Sequence, residues 1–320
     1  ICHAVVPQHG HIRPGMFCVG GDSHSPTGGA FGAYMFGIGA TEMLGVVTTG
    51  QIWVLVPRTI TMAWHGRLGA QVCAKDMMLA MIGRFGLNGG AYQAVEFSGD
   101  AVRALSMPER MTLANMSAEL GAQVGLVAPD ETTRAWLAAR GVDTVETERW
   151  QSDPGSADET HTFDAAALAP QVAAPHSPAH ARDVAAHAGQ RVDVAYIGAC
   201  TGAKLDDLRF AASLLRGRRV APGVRLLVAP ASHADRDDAA REGVMQALAD
   251  AGAQLLPSAC GACAGYGDSF DAGQVVISST ARNFKGRMGP DTTAVYLGSA
   301  YTVAAAALTG RITDPREVAS

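Results

Sequence analysis

Residues 192–217 read "VDVAYIGACTGAKLDDLRFAASLLRG". An apolar strand runs into a small-residue turn that holds Cys200, and a helical pattern follows over residues 204–217. The same unit recurs to the end of the chain. "VRLLVAPAS" reads as a strand, "REGVMQALADAG" as a helix, and "QVVISST" and "TAVYLGSAYTVAAAALTG" close the alternation. Strands alternating with helices predict an α/β fold of mainly parallel sheets covered on both faces. Ligand groups in such folds collect at the carboxyl ends of strands, which is where Cys200 falls.

Toward the N-terminus the pattern continues. "MFCVGG" reads as a strand, residues 29–50 as a small-residue helix whose glycines permit close packing, and "IWVLVP" as a further strand. "TITMAW", "AVEFSG" and "VGLVAP" are strand-like. They alternate with "AKDMMLAMIGRFG", which stops at Gly86, with "SMPERMTLANMSAELGA", which starts at a serine cap, and with "ETTRAWLAARG". Residues 151–191 are rich in Pro, Ala, Asp and His and carry little periodicity, so they read as a surface linker. The expected organisation is therefore residues 1–57 as the remainder of a first α/β domain, 58–150 as a second, 151–191 as the linker, and 192–320 as a third domain carrying the cluster of cysteines. The opening "ICHAVVPQHG" reads like the interior of a longer protein.

The chain has 320 residues, 48% of them hydrophobic, which is enough for two substantial cores. No apolar run approaches the roughly 20 residues that a membrane span requires. The net charge of −5 (25 Lys+Arg against 30 Asp+Glu) has no long single-sign block, which argues against non-specific attraction to nucleic acid or membranes. Six cysteines in a chain of this size do not resemble a secreted disulfide framework, so a cytoplasmic protein is expected. His161, His176, His180 and His187 lack ligand spacing and read as solvent-exposed. Cys2, Cys18 and Cys73 read as buried, inert thiols.

Cys260 and Cys263 form a CxxC pair in "SACGACAGYG". Alone that is a weak signal, open to zinc, a redox dithiol or chance. Cys200 adds a third thiol. A structural zinc lacks its fourth ligand here, and a redox pair leaves Cys200 unexplained. An iron–sulfur cluster accommodates all three, ahead of zinc and of unconnected thiols, with one iron left open. Asp22-Ser23-His24 in a glycine turn reads as a loop network or as a histidine–carboxylate pair for proton transfer. As bare residues, His3 reads as a chance core or surface residue, Glu119 as a helix-surface carboxylate, and Arg282 and Arg287 as surface arginines.

"IGACTG", "ACGACAG" and "ARNFKGRMG" together resemble the aconitase superfamily. "GMFCVGGDSHSPTGGAFGAYMFGIGATEM", "AKDMMLAMIGRFGLNGG", "RALSMPERMTLANMSAELGA" and "APDETT" look like its 3-isopropylmalate dehydratase large-subunit branch, and the likeness spans essentially the whole chain in order. The resemblance implies aconitase-like three-layer α/β/α domains around a [4Fe–4S] cluster held by Cys200, Cys260 and Cys263, with one iron free of protein ligands. It implies catalytic roles for His3, Asp22, His24 and Glu119, with Asp22 paired to His3 and Glu119 to His24. It also implies substrate contacts from Ser23, Asn115, Arg282 and Arg287. The implied reaction is reversible dehydration and rehydration of a hydroxy diacid, 2-isopropylmalate to 3-isopropylmalate, in leucine biosynthesis. Dimethylmaleate, homoaconitate and citraconate hydro-lyases are the close alternatives. An RNA-binding apo regulator and an electron-transfer protein are readings from other classes. The family's catalytic serine sits on a small swivel-domain subunit, so a partner is implied, and these 320 residues are expected to show no turnover alone. Two positions depart from the family pattern. Gly202 stands where asparagine is common, and Ala281 opens the arginine loop.

Overall fold

The computed structural model describes residues 1–142, 146–266 and 270–319. The chain divides into two compact units: Cys2–Arg67 with Leu87–Ala166, and Leu68–Gly86 with the chain from Ala167 on.

The smaller unit holds two parallel sheets among the described residues. β1 (Phe17–Gly20) pairs with β2 (Tyr34–Gly37). β3 (Thr59–His65), β4 (Ala94–Ser98), β5 (Val124–Val127) and β6 (Glu159–Asp164) form the second, in the order β5-β4-β3-β6. β6 comes from the stretch that the sequence presents as a linker. Its alternation is short, but its Phe163 lies directly opposite Trp64 on β3, and the rings stack at 4.5 Å. Cross-strand aromatic pairs of this kind stabilise a ladder by several tenths of a kcal/mol up to about 1 kcal/mol. Residues 29–50 are also not one helix. A 3₁₀ turn (Ser25–Phe31) ends at Gly32, whose φ is +72°, then β2 follows, then a helix (Ala40–Thr49) whose Glu42 carboxylate accepts the Gly39 N–H at 2.8 Å. "IWVLVP" joins no ladder among the described residues, and Trp53, Leu55 and Val56 stand exposed.

The helix Met107–Met116 is the buried spine of this unit. Ser106 Oγ accepts the Glu109 N–H at 3.3 Å, and the Glu109 carboxylate accepts the Ser106 N–H in return, as the serine cap predicts. The 3₁₀ turn lies against both this helix and β5. The approach is close enough that a Cβ at Gly29 would sit 1.8 Å from the Gly125 carbonyl oxygen, so only glycine fits there.

The larger unit is built on a seven-stranded sheet among the described residues: β7 (Gln171–Ala173), β8 (Ala181–Asp183), β9 (Val194–Gly198), β10 (Arg225–Ala229), β11 (Ala253–Leu255), β12 (Val275–Ser278) and β13 (Ala294–Leu297). The order is β11-β10-β9-β12-β13-β7-β8, and β7 and β8 are antiparallel additions from the supposed linker. β9 shows why it is central. Ala195 and Ile197 face a core formed with the helices Leu205–Leu215, Val244–Ala251 and Ala300–Thr309, while Val194 and Tyr196 face the other side. That second face is closed by Ala262, Phe270 and Met288 from loops and turns, so the cysteine-bearing segment lies on the sheet directly.

The helix Ala74–Phe85 packs on β7 and β8, and a Cβ on its Gly83 would come within 2.7 Å of the Ala181 carbonyl oxygen. Asp76 fixes it. Its carboxylate accepts the Cys73 N–H at 3.0 Å and the Gln171 N–H at 2.8 Å, and complete burial pushes its carboxyl up to about 6 despite those bonds. His161, His176 and His187 are half-buried and only His180 is exposed, because the stretch lies in two sheets and not over the surface. Among the other cysteines Cys73 is buried as expected, Cys18 is half-buried and Cys2 is exposed.

One ion pair organises the smaller unit. The buried Arg110 guanidinium donates to both Asp130 oxygens at 2.7 Å and to the Leu105 and Arg103 carbonyls. Asp130 also caps the helix Glu131–Ala138 by accepting the Thr132 N–H at 2.9 Å. Burial works against the Asp130 charge, but the Arg110 bond and charge together with the Thr133 and Thr132 N–H groups outweigh it and hold the carboxyl below its ordinary range. The contribution of this pair is therefore complete above about pH 4 and is lost as pH falls through the lowered folded value. Asp130→Ala strands a buried guanidinium and removes a cap. It is expected to lower the unfolding free energy by about 3–5 kcal/mol in urea titrations, and a loss below about 1 kcal/mol would show that Arg110 finds water instead.

Candidate active site

β1 delivers the chain into a tight turn at Asp22-Ser23-His24. Asp22 Oδ1 accepts the His24 N–H at 2.7 Å, and Ser25 Oγ donates to the Asp22 carbonyl at 2.7 Å. The same Asp22 oxygen lies 3.4 Å from His3 Nδ1 and 3.7 Å from His24 Nδ1. On its far side the His24 ring meets Glu119, Nε2 to Oε1, at 2.9 Å. His3, His24 and Glu119 are buried, while the Asp22 side chain is 41% exposed and Ser23 is open to solvent. The structure thus places His3, Asp22, His24 and Glu119 in one line of alternating imidazoles and carboxylates, with the two rings 5.7 Å apart.

Glu119 follows the buried helix, and its lack of exposure is what its sequence context hid. Asn115 is one turn back. Its amide donates to Thr27 Oγ1 at 2.8 Å, and Thr27 Oγ1 in turn donates to the His24 carbonyl at 2.6 Å, so Asn115 braces the histidine turn. His3 Nε2 is buried without a hydrogen-bond partner among the described residues. A buried ring nitrogen left open beside a carboxylate-bound Nδ1 suits a ligand atom.

In the larger unit, Cys200 lies just beyond β9, and the preceding Ala199 adopts φ +63°, a conformation that a non-glycine residue rarely holds. Cys260 and Cys263 bracket the start of the 3₁₀ turn Gly261–Ala264, with Gly261 at φ +51°. The three thiols share one neighbourhood. Burial raises the Cys263 thiol, and the nearby Cys200 raises it further. Burial also raises the Tyr196 phenol, with Cys263 and Cys260 next in effect. The Tyr196 hydroxyl is itself buried without a partner among the described residues. A cavity of about 390 Å³ beside this turn is lined by Tyr196, Leu227, Cys260 and Tyr266.

All three cysteines are free thiols, and Cys200 and Cys263 are buried. Thiolates are the soft donors that iron–sulfur clusters take, so three neighbouring cysteines fit that group.

The arginine loop is rooted by Asn283, whose amide donates to the Ala174 and Val295 carbonyls at 2.9 Å each. Arg287 and the Ala281 N–H both hydrogen-bond Cys263 and oppose the rise in its thiol. The departure at Ala281 therefore leaves intact the backbone group that meets the sulfur. Arg282 is half-buried on the same loop. Lys285 is exposed and pairs only loosely with Asp291, at 3.7 Å.

Two residues escaped the sequence reading. Lys75 is buried, and its Nζ donates to the Thr280 and Ser279 carbonyls at 2.7 and 3.2 Å and to Thr201 Oγ1 at 3.4 Å. Lys204 is buried as well. Its Nζ lies 3.0 Å from both the Cys200 carbonyl and Asp207; burial opposes its charge, and Asp207 and Cys200 raise it overall. The available signal was a lysine opening the otherwise apolar "AKDMMLAMIG" face.

The family profile described as "Aconitase family (aconitate hydratase)" matches residues 1–310. A probable methanogen homoaconitase large subunit of Methanosarcina mazei is 44% identical over 320 residues, covering 99% of this chain and 81% of that protein. A probable 3-isopropylmalate dehydratase large subunit of the same organism is 39% identical over 322 residues, covering 99% of this chain and 76% of that protein. The 3-isopropylmalate dehydratase large subunit 1 of Methanopyrus kandleri is 41% identical over 318 residues, with 99% and 76% covered. No helix among the described residues is long and apolar enough to cross a membrane. The chain belongs to the aconitase family and is a hydro-lyase.

Proposed function

We propose that this hydro-lyase is the large subunit of a 3-isopropylmalate dehydratase, which converts 2-isopropylmalate to 3-isopropylmalate by dehydration and rehydration in cytoplasmic leucine biosynthesis. The observation that carries the reading is the buried His24–Glu119 contact continued through Asp22 to His3. Dehydration of a hydroxy acid needs a proton for the departing hydroxyl, and an imidazole with a carboxylate at each nitrogen is built to hold and pass one. In this reading His24 delivers the proton, Glu119 and Asp22 hold the ring in place, and His3 presents its open Nε2 to the substrate.

Cys200, Cys260 and Cys263 are the residues that would hold a [4Fe–4S] cluster, whose one iron without a protein ligand supplies Lewis acidity toward the hydroxyl. Arg282 and Arg287 bind substrate carboxylates, for which a planar guanidinium is the better partner than an ammonium. Ser23, exposed in the histidine turn, completes the polar contacts, and the buried Asn115 supports that turn from behind through Thr27. The base that removes the carbon-bound proton is a serine on a separate small swivel-domain subunit. Loss of that proton and of the hydroxyl gives the alkene, and water adds back in the opposite sense. A second reading, homoaconitase, is favoured by the 44% identity to the Methanosarcina protein of that name.

Three measurements test this. The large subunit, reconstituted anaerobically with iron and sulfide and assembled with its small subunit, is expected to show its highest kcat/KM on 2-isopropylmalate in a panel with homoaconitate, dimethylmaleate and citraconate. A clear preference for homoaconitate would establish the second reading. Glu119→Gln keeps the shape of the His24 contact but removes its charge, and is expected to cut kcat by about 10²–10⁴-fold while changing KM little. A fall confined to KM would reassign Glu119 to binding. Cys263→Ser and Lys75→Met are both expected to lower bound iron and sulfide per chain, the first nearly to zero. Full iron content in Cys263→Ser, or zinc in place of iron in the native protein, would refute the ligand set.

A further inference from the structure

The loop between the helix Ala74–Phe85 and β4 holds two consecutive non-glycine residues in the left-handed region, Ala91 at φ +44° and Tyr92 at φ +57°. The backbone is pinned there. The Tyr92 N–H donates to the Gly121 carbonyl at 2.8 Å and the Gln93 N–H to the Gly90 carbonyl at 2.7 Å, and a Cβ on Gly90 would come within 2.6 Å of the Ala122 nitrogen. A glycine at 92 would satisfy that geometry without strain, yet the position carries a tyrosine that is 63% exposed. Strain kept at a position where a simpler residue relieves it marks a functional demand.

The surroundings indicate what that demand is. Tyr92 borders a cavity of about 300 Å³ that Asp22 and Ser23 also line. Pro26, Ile38, Ala118 and Ala122 supply the apolar part of its wall and Gln123 a polar part, and Asp22 is the one charged side chain among the described lining residues. A carboxylate-bearing arm entering this space would face the Asp22 carboxylate with no lysine or arginine among the described lining residues to pair with. An alkyl group would bury apolar surface against the tyrosine ring.

We infer that Tyr92 is a specificity-determining residue that seats an uncharged alkyl side group of the hydroxy diacid in the cavity beside Asp22 and Ser23. This rests on the reading of Asp22 and Ser23 as site residues and extends it to the substrate's side group. The test is kinetic, on the assembled holoenzyme, with 2-isopropylmalate, its methyl counterpart citramalate, and homocitrate, which bears a charged arm. Tyr92→Asn keeps a residue that tolerates the left-handed backbone but removes the ring. It is expected to lower the ratio of kcat/KM for 2-isopropylmalate over citramalate about tenfold, while Tyr92→Phe preserves that ratio. Tyr92→Gly is expected to raise the thermal unfolding midpoint as it loses the same preference. An unchanged ratio in Tyr92→Asn, an equal fall on both substrates, or a native preference for homocitrate would each overturn the inference. Native enzyme that turns over none of the diacids would overturn the functional reading beneath it.

Discussion

Lys75 Nζ donates to Thr201 Oγ1 and to the Ser279 and Thr280 carbonyls from the first turn of a helix that is tied to β7 through Asp76. A buried ammonium costs several kcal/mol in lost hydration, which its surroundings must return. The segments that supply its acceptors therefore cannot drift apart without exposing that cost. One of them follows Cys200, and the other leads into Arg282 and Arg287. β9 and β12 already place these segments side by side, with Tyr196 in register with Ser278. Lys204 holds the Cys200 carbonyl from the other direction. The two lysines thus place fixed positive charge against the backbone that flanks Cys200.

The smaller unit is organised around the opposite charge. One Asp22 oxygen meets the His24 backbone N–H and both imidazoles, so the carboxylate positions a turn and two rings together. Reaching Glu119 from that turn depends on backbone proximity. Gly29 lets the 3₁₀ turn lie on Gly125, which brings the helix carrying Asn115 to within a hydrogen bond of Thr27. The chemistry of the line depends on how closely the chain can pack beneath it.

The α/β class, most strands and the capped helices were legible because they follow periodicity and cap chemistry, as at Ser106 and Gly86. The misread parts had no periodicity to show. β6 is six residues whose decisive contact, Phe163 on Trp64, lies almost a hundred positions away in sequence. β7 and β8 are three residues each. The candidate site residues were named through resemblance, which did not carry their environments. Glu119 reads as surface and is buried, and Arg287 reads as a substrate arginine and also contacts the Cys263 sulfur. Lys75 and Lys204 were passed over because an isolated lysine in a sequence does not show whether its ammonium is in water.

Gly202, one of the two departures from the family pattern, has a steric cause that only the fold reveals. A Cβ there would lie 2.2 Å from Ser279 Oγ and 2.4 Å from its carbonyl oxygen. Ser279 Oγ accepts the Gly198 N–H at 3.0 Å and donates to the Gly202 carbonyl at 3.0 Å, closing the turn that presents Cys200 at both ends. An asparagine at 202 would have to displace that hydroxyl, and with it the carbonyl that Lys75 holds. The serine hydroxyl bridges the two ends of the turn through the space that a side chain at 202 would fill, so residues 202 and 279 are sterically coupled. The glycine is there for space and not for an unusual backbone angle, and an exchange at either position alone disturbs the seat of Cys200.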